Sequence, residues 1–200
     1  THHRSSAASD VYKRQAYRRI RNTLRFLMGN LNDFDFKKDK VAPKDYTELD
    51  KWITLKAKNL QEEVIKDYEN FEIHLAFQKV LNFCTNELGG FYLDIIKDRL
   101  YTSKKEGVAR RSAQSSMYQV YSSLLTLISP ILSFTAEEAY LEKNGEGSSI
   151  FLSSWFDGWE EFDQKIEDDL WEQLVSLKNN VNKEIEEKRN LGKLGSSLEA

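Results

Sequence analysis

Three arginines and an asparagine recur on a helical period near the start of the chain. Arg18, Arg21, Asn22 and Arg25 stand at i, i+3, i+4 and i+7. Tyr17, Ile20, Leu24, Leu27, Leu31 and Phe34 mark an apolar stripe along the same stretch. At 100° per residue the four polar side chains share one face, roughly 130° from the centre of that stripe. Forked guanidinium donors and an amide suit phosphates and the edges of bases. The competing reading is a solvated face, or arginines paired with acids of a neighbouring helix. Residues 11–32 contain no acidic residue, so pairing within the helix is excluded.

A second basic run spans residues 97–111, where Lys97, Arg99, Lys104, Lys105, Arg110 and Arg111 face only Asp98 and Glu106. Tyr92 and Tyr101 are interleaved with it. Such rings either stack on unpaired bases or pack in a core with a wet hydroxyl. Cations at a helix end also complement its macrodipole without any ligand. Position alone leaves both readings open.

Groups suited to catalysis are sparse. His74 is the only histidine beyond the N-terminal segment, and no Glu-x-x-His pair is present to build a di-metal site in a bundle. Asp94 and Asp98 stand at i, i+4 and could face a divalent ion; a solvent-facing pair bonded to Lys97 and Arg99 is the simpler reading. Cys84 falls on an apolar stripe, as a small buried hydrophobe would. A single cysteine excludes an internal disulfide framework and a multi-cysteine zinc site. Gly89-Gly90 within a helical pattern costs roughly 1–2 kcal/mol relative to alanine, which points to close approach of another backbone. Neither a Walker nor a Rossmann glycine pattern is present.

Helices must position these groups. Leu49, Ile53, Ala57, Leu60, Val64 and Tyr68 predict a second helix, its start marked by Thr47 and Asp50 in a capping-box arrangement with aspartate in place of glutamate. Ile73, Phe77, Val80 or Leu81, Cys84, Leu88, Phe91 and Ile95 predict a third, running to about Tyr101. Met117, Tyr121, Leu124, Ile128 and Ile131 predict a fourth. Leu125, Leu127 and Leu132 widen its stripe enough to require neighbours on two sides. Pro130 should end or kink that helix near Ser129, with Thr135 and Glu138 capping a short continuation through Leu141. Residues 144–160 read as loop. Leu170, Leu174, Leu177, Val181 and Ile185 predict a last helix fading by Asn190. The expected fold is all-α, an antiparallel bundle of about five helices.

Composition agrees. Two prolines and nine glycines in 200 residues disfavour a β-sandwich or barrel with many tight turns. No run of eighteen apolar residues and no signal-peptide core is present, so a cytoplasmic setting is the expectation. The formal net charge of −3 would argue mildly against a polyanionic partner. That total conceals a basic front and an acidic rear, with fifteen acids against six basic residues in 137–190.

Several runs resemble the anticodon-binding domain of bacterial-type isoleucyl-tRNA synthetases, a branch of the class I aminoacyl-tRNA synthetases. They are the opening helix from Tyr17 to Phe34, Leu49-Asp-Lys-Trp52, Phe91-Tyr-Leu-Asp-Ile-Ile-Lys-Asp-Arg-Leu-Tyr-Thr102, Arg110-Arg-Ser112, Pro130-Ile-Leu-Ser-Phe-Thr-Ala-Glu-Glu138 and Gly195-Ser-Ser-Leu-Glu-Ala200. The resemblance implies a helical tRNA-binding domain over 16–190 and the start of a truncated C-terminal extension over 191–200. Residues 1–15 depart from the pattern and read as foreign to the domain. The implied parent joins isoleucine to tRNA(Ile) with ATP and Mg and carries a zinc site. The catalytic signatures HIGH and KMSKS are absent from this sequence, and no cofactor is expected in it. The implied partners are the tRNA(Ile) anticodon stem-loop and the parent's catalytic and C-terminal domains, in a monomer without membrane attachment. Arg18, Arg21, Asn22 and Arg25 would contact the loop. Lys97, Arg99, Tyr101, Lys104, Arg110 and Arg111 would extend that surface. The valyl and leucyl enzymes share the architecture and remain alternatives. So does a helical interaction module with no nucleic-acid role, in which the arginines pair with the acidic rear.

Overall fold

The computed structural model describes residues 2–163 and 168–192. The chain divides into two compact units, Thr1–Gln164 and Lys165–Ala200. Among the described residues all regular structure is helical, as expected. The first unit holds α1 (His2–Asn30), α2 (Phe36–Asp39), α3 (Glu48–Glu69), α4 (Ile73–Phe83), α5 (Leu93–Thr102), α6 (Val108–Ile128) and α7 (Ser133–Asn144). The second holds α8 (Asp168–Asn190), whose Leu170, Leu174, Leu177 and Val181 are exposed. The Gly195–Ala200 run lies outside the described residues.

Local chemistry sets the helix ends. Thr47 is extended, and its hydroxyl oxygen accepts from the Asp50 amide at 3.4 Å while the hydroxyl donates to Asp50 Oδ2 at 2.8 Å. This is the anticipated cap, with the aspartate folded inward. α6 stops at Ile128, two residues before Pro130, whose ring cannot continue a helix. α7 then begins at Ser133 without a side-chain cap, so Thr135 lies inside its first turn. The Thr135 hydroxyl donates to Tyr17 Oη instead of capping, which corrects the expected boundary. Gly145 closes α7 at φ +80°, a conformation that a Cβ would strain.

The expected third helix is one continuous rod from Ile73 to Thr102, made of α4, a π-helical stretch over Cys84–Tyr92 and α5. A Cβ at Gly89 would stand 2.7 Å from the Cys84 carbonyl oxygen, and one at Gly90 2.9 Å from that of Thr85. The backbone approached is therefore the rod's own preceding turn, not another helix. The glycine pair permits the π turns. Cys84 is buried beside them, and burial pushes its thiol up to about 12.

Side-chain bonds fix the directions of the helices. The start of α3 meets the start of α6 through Asp50 and Ser116, and its end meets the end of α6 where the Tyr68 hydroxyl donates to the Leu127 carbonyl. The two run parallel because the α4–α5 rod returns between them in sequence. That rod is antiparallel to α3: Arg99 at its end pairs with Asp50, and Lys79 near its start pairs with Asp67. α1 is antiparallel to α6, its C-terminal Asn30 carbonyl taking a bond from Gln114. α6 is the central member, with contacts to α1, α3, α4, α5 and α7, as its wide apolar stripe demanded.

One face of α6 is small and polar. Ser112, Ser115, Ser116, Gln119 and Ser123 are all buried, and small side chains there let α3 pack close. Each finds a partner: Ser116 donates to the Asp50 carbonyl, Ser123 to Gln61 Oε1, and Gln119 Nε2 to Tyr46 Oη. Buried hydroxyls and amides without partners would cost about 1–3 kcal/mol each. This seam is satisfied.

Candidate nucleic-acid interface

α1 presents its arginines as the periodicity predicts. Ala16, Ile20, Leu24, Leu27 and Leu31 are buried on the core side, while Arg18, Arg19, Asn22 and Arg25 are exposed. Arg18, Asn22 and Arg25 make no ion pair or side-chain hydrogen bond among the described residues. Arg21 is half-buried and stands 3.6 Å from Glu138 of α7. The alternative of pairing with a neighbouring helix thus applies to Arg21 and not to its companions. A groove of about 70 Å³ runs between α1 and α7 beneath Arg21 and Arg25, with Glu138 and Glu142 on its far wall.

The second basic run splits into two groups. Tyr101, in the last turn of α5, and Lys104 and Lys105, on the turn between α5 and α6, are exposed, Tyr101 by 67%. Lys97 is also exposed, bonded to Asp94 at 3.2 Å on its own helix. Arg99, Arg110 and Arg111 point inward. Arg99 forks onto Asp50, Nη2–Oδ1 2.6 Å and Nη1–Oδ2 2.8 Å, and so does not join the Asp94 pair. Tyr92 belongs to this core as well, fully buried with its hydroxyl donating to Asp50 Oδ1 at 2.7 Å. Burial raises the Tyr92 phenol well above its ordinary value, so it stays a donor.

Arg110 forks onto Asp33 at 2.7 and 3.1 Å and also donates to the Leu100 and Lys105 carbonyls. It thereby ties the α5–α6 turn to the end of α1. Arg111 donates to the Asp33 carbonyl and to Gln114 Oε1 and lies over the Phe34 ring. The Arg110 hydrogen bonds hold the Asp33 carboxyl down to about 2, against the opposing effect of partial burial. Asp33 is the first acid after the acid-free stretch, a signal that could have marked it as the counter-ion. Asp50 was legible only as a cap.

The Arg18–Arg25 face and the Tyr101–Lys105 turn therefore sit at different heights along α1. The rise of 1.5 Å per residue separates Asn30, the last residue of α1, from Arg25 by about 7.5 Å and from Arg18 by about 18 Å, and Asp33 lies in the turn beyond it. An elongated polyanion could meet both; a small anion could not. Among the described residues no group of three or more His, Cys, Asp or Glu side chains is arranged to hold a metal ion. No described helix is long and apolar enough to cross a membrane.

A family model described as the anticodon-binding domain of tRNA ligase matches residues 50–200. The chain belongs to this family. It is 46% identical to an isoleucine–tRNA ligase of Legionella pneumophila (strain Paris) over 201 positions, which cover 99% of the chain and 22% of that protein. It is 48% identical to an isoleucine–tRNA ligase of Shewanella baltica (strain OS155) over 188 positions, covering 92% of the chain and 20% of the relative. The chain thus spans about a fifth of the length of these relatives. Both alignments cover enough of the chain to take in the Arg18–Arg25 face of α1, which lies ahead of the family match.

Proposed function

We propose that this chain binds the anticodon stem-loop of tRNA(Ile) as the tRNA-reading part of a longer isoleucine–tRNA ligase. The observation that carries the reading is the division among the arginines. Arg99, Arg110 and Arg111 have their donors engaged inside the fold, whereas Arg18 and Arg25 flank Asn22 on an exposed face and form no ion pair among the described residues. Phosphate neutralisation by that face supplies affinity, and guanidinium or amide bonds to unstacked anticodon bases supply identity. Arg21, Lys97, Tyr101 and Lys104 extend the surface. Arg99, Arg110 and Arg111 act as positioning residues that hold the α5–α6 turn and α1 in place.

The isoleucine–tRNA ligases that it resembles extend the reading to the parent. There, docking of the anticodon end orients the acceptor end toward a catalytic domain, and ATP with Mg and a zinc site serve parts of the parent outside these residues. The single buried Cys84 could not supply a zinc site here. A monomeric, cytoplasmic parent fits the same reading.

The test is titration of a tRNA(Ile) anticodon stem-loop with the wild-type chain and with Arg18→Glu/Arg25→Glu. Both residues are exposed and unpaired, so the variant should fold. Binding that weakens with salt and falls at least about tenfold on double charge reversal is expected. Equal affinity of the two proteins would overturn the assignment of the face.

A further inference from the structure

The stretch from Asp33 through α2 sorts its charges. Its acids are engaged by the fold. Asp33 holds Arg110, and Asp35 Oδ1 accepts from the Lys37 amide at 3.0 Å. Asp39 accepts from the Asp35 amide and stands 3.7 Å from Arg111. Lys37 and Lys38 are left exposed. Lys37 forms no ion pair among the described residues, and Lys38 has only the half-exposed carboxylate of Asp35 at 3.2 Å. The short helix that carries them is fixed in place, because Phe36 stacks on Tyr118 of α6 with centroids 4.3 Å apart.

A second pair of lysines lies beside them. Arg110 Nη1 donates both to Asp33 Oδ2 at 2.7 Å and to the Lys105 carbonyl at 3.0 Å, so one guanidinium binds the stretch entering α2 to the α5–α6 turn. Lys104 and Lys105 on that turn are exposed and form no ion pair among the described residues. Against these four lysines stand the exposed acids Asp35 and Glu106, so the surface keeps a net positive charge. An ammonium is a point charge on a flexible stem, without the fork that reads a base edge. Four of them spread over two turns match a row of phosphates and not a single small anion. We infer that Lys37 and Lys38 of α2, with Lys104 and Lys105, form a second RNA anchor, which takes the phosphate backbone where it passes the C-terminal end of α1. The anchor rests on the stem-loop reading and adds a contact that fixes position without reading sequence.

The test titrates the tRNA(Ile) anticodon stem-loop into the whole chain at several salt concentrations. The proteins are wild type, Lys37→Gln/Lys38→Gln and Arg18→Glu/Arg25→Glu. The lysine variant should bind roughly five- to tenfold more weakly at low salt and lower the slope of log affinity against log salt by about 1.4, two phosphates at about 0.7 each. Its loss should be the same for a stem-loop with an altered anticodon, and Lys37→Arg/Lys38→Arg should keep wild-type binding. Thermal melting by circular dichroism should be unchanged, since both lysines are exposed. Wild-type affinity and slope in the lysine variant, with binding lost in the arginine variant, would overturn the anchor and leave the stem-loop reading standing. No binding by wild type, or undiminished binding in both variants, would overturn that reading together with the anchor. A loss confined to one anticodon sequence would make the lysines base readers, and a loss that arginine does not restore would give them a structural part; either overturns the proposal.

Discussion

Arg99 and Asp50 meet as a bidentate pair between the last turn of α5 and the first turn of α3, with Nη2–Oδ1 at 2.6 Å. The carboxylate has no solvent exposure. Its oxygens also take the hydroxyls of Thr47, Tyr92 and Ser112, so three helices and a cap converge on one charge. Both oxygens are therefore supplied with donors, which is the condition under which a buried pair is tolerable.

Removing one member should be far worse than the pair is worth. Asp50→Ala leaves a guanidinium in a protein-lined pocket and three hydroxyl donors without this acceptor, and we expect a loss of about 3–5 kcal/mol. Arg99→Lys keeps the charge but cannot span both oxygens, and should cost about 1–2 kcal/mol. Urea unfolding followed by circular dichroism checks both through the shift in midpoint. An Asp50→Ala protein with a wild-type midpoint would contradict the convergence described.

Acid titration should report Asp33. Its carboxyl is held at about 2 in the fold against an ordinary value of 3.8, so the unfolded chain takes up the proton first as pH falls. The stability that Asp33 contributes is complete above about pH 4 and is lost as pH drops toward 2. It should amount to about 1 kcal/mol, discounted for solvent screening at the bundle's edge. Asp33→Asn should be less stable than wild type at pH 6 and should show a shallower decline between pH 4 and 2. Parallel stability curves for the two proteins would remove Asp33 from the account.

Much of this fold could be read from spacing, because apolar residues three and four apart report a buried helix face directly. The α1 stripe, the α3 cap, the end of α6 before Pro130 and the central place of α6 all followed from such local signals. Charge partners did not. Arg18 and Arg99 are alike in sequence, each a cation on a helix, but only tertiary packing gives one an aspartate forty-nine residues away. The π turns were hidden for a similar reason. A one-residue slip in hydrogen bonding barely disturbs an apolar period, and only Gly89-Gly90 betrayed it. Lys143 gave no signal, since its buried Nζ, without a hydrogen bond among the described residues, lies over Tyr118 and Tyr121 of a different helix, α6.

Gly89 allows a prediction whose sign is opposite to the usual one. It is exposed within a helical rod, where alanine ordinarily gains up to about 1 kcal/mol. Here an added Cβ would stand 2.7 Å from the Cys84 carbonyl oxygen, which is backbone and cannot move without unwinding the π turn. Gly89→Ala should therefore destabilise by about 1–3 kcal/mol, a loss typical of overpacking. Thermal melting decides it: a fall of several degrees is expected, and a rise would mean that the π stretch relaxes to α-helix at little cost.

The separation of free from engaged arginines can be tested through salt. Each phosphate neutralised on a single strand contributes about 0.7 to the slope of log affinity against log salt. Arg18→Gln/Arg25→Gln should thus lower the slope for an anticodon stem-loop by about 1.4 while leaving the melting temperature unchanged, because neither side chain has a partner among the described residues. Arg110→Gln should do the reverse. It breaks the Asp33 fork and frees the α5–α6 turn, so the melting temperature falls while the salt slope of the folded protein changes little. A slope reduced equally by both substitutions would mean that Arg110 leaves Asp33 to meet phosphate, and the division drawn between positioning and contacting arginines would fail.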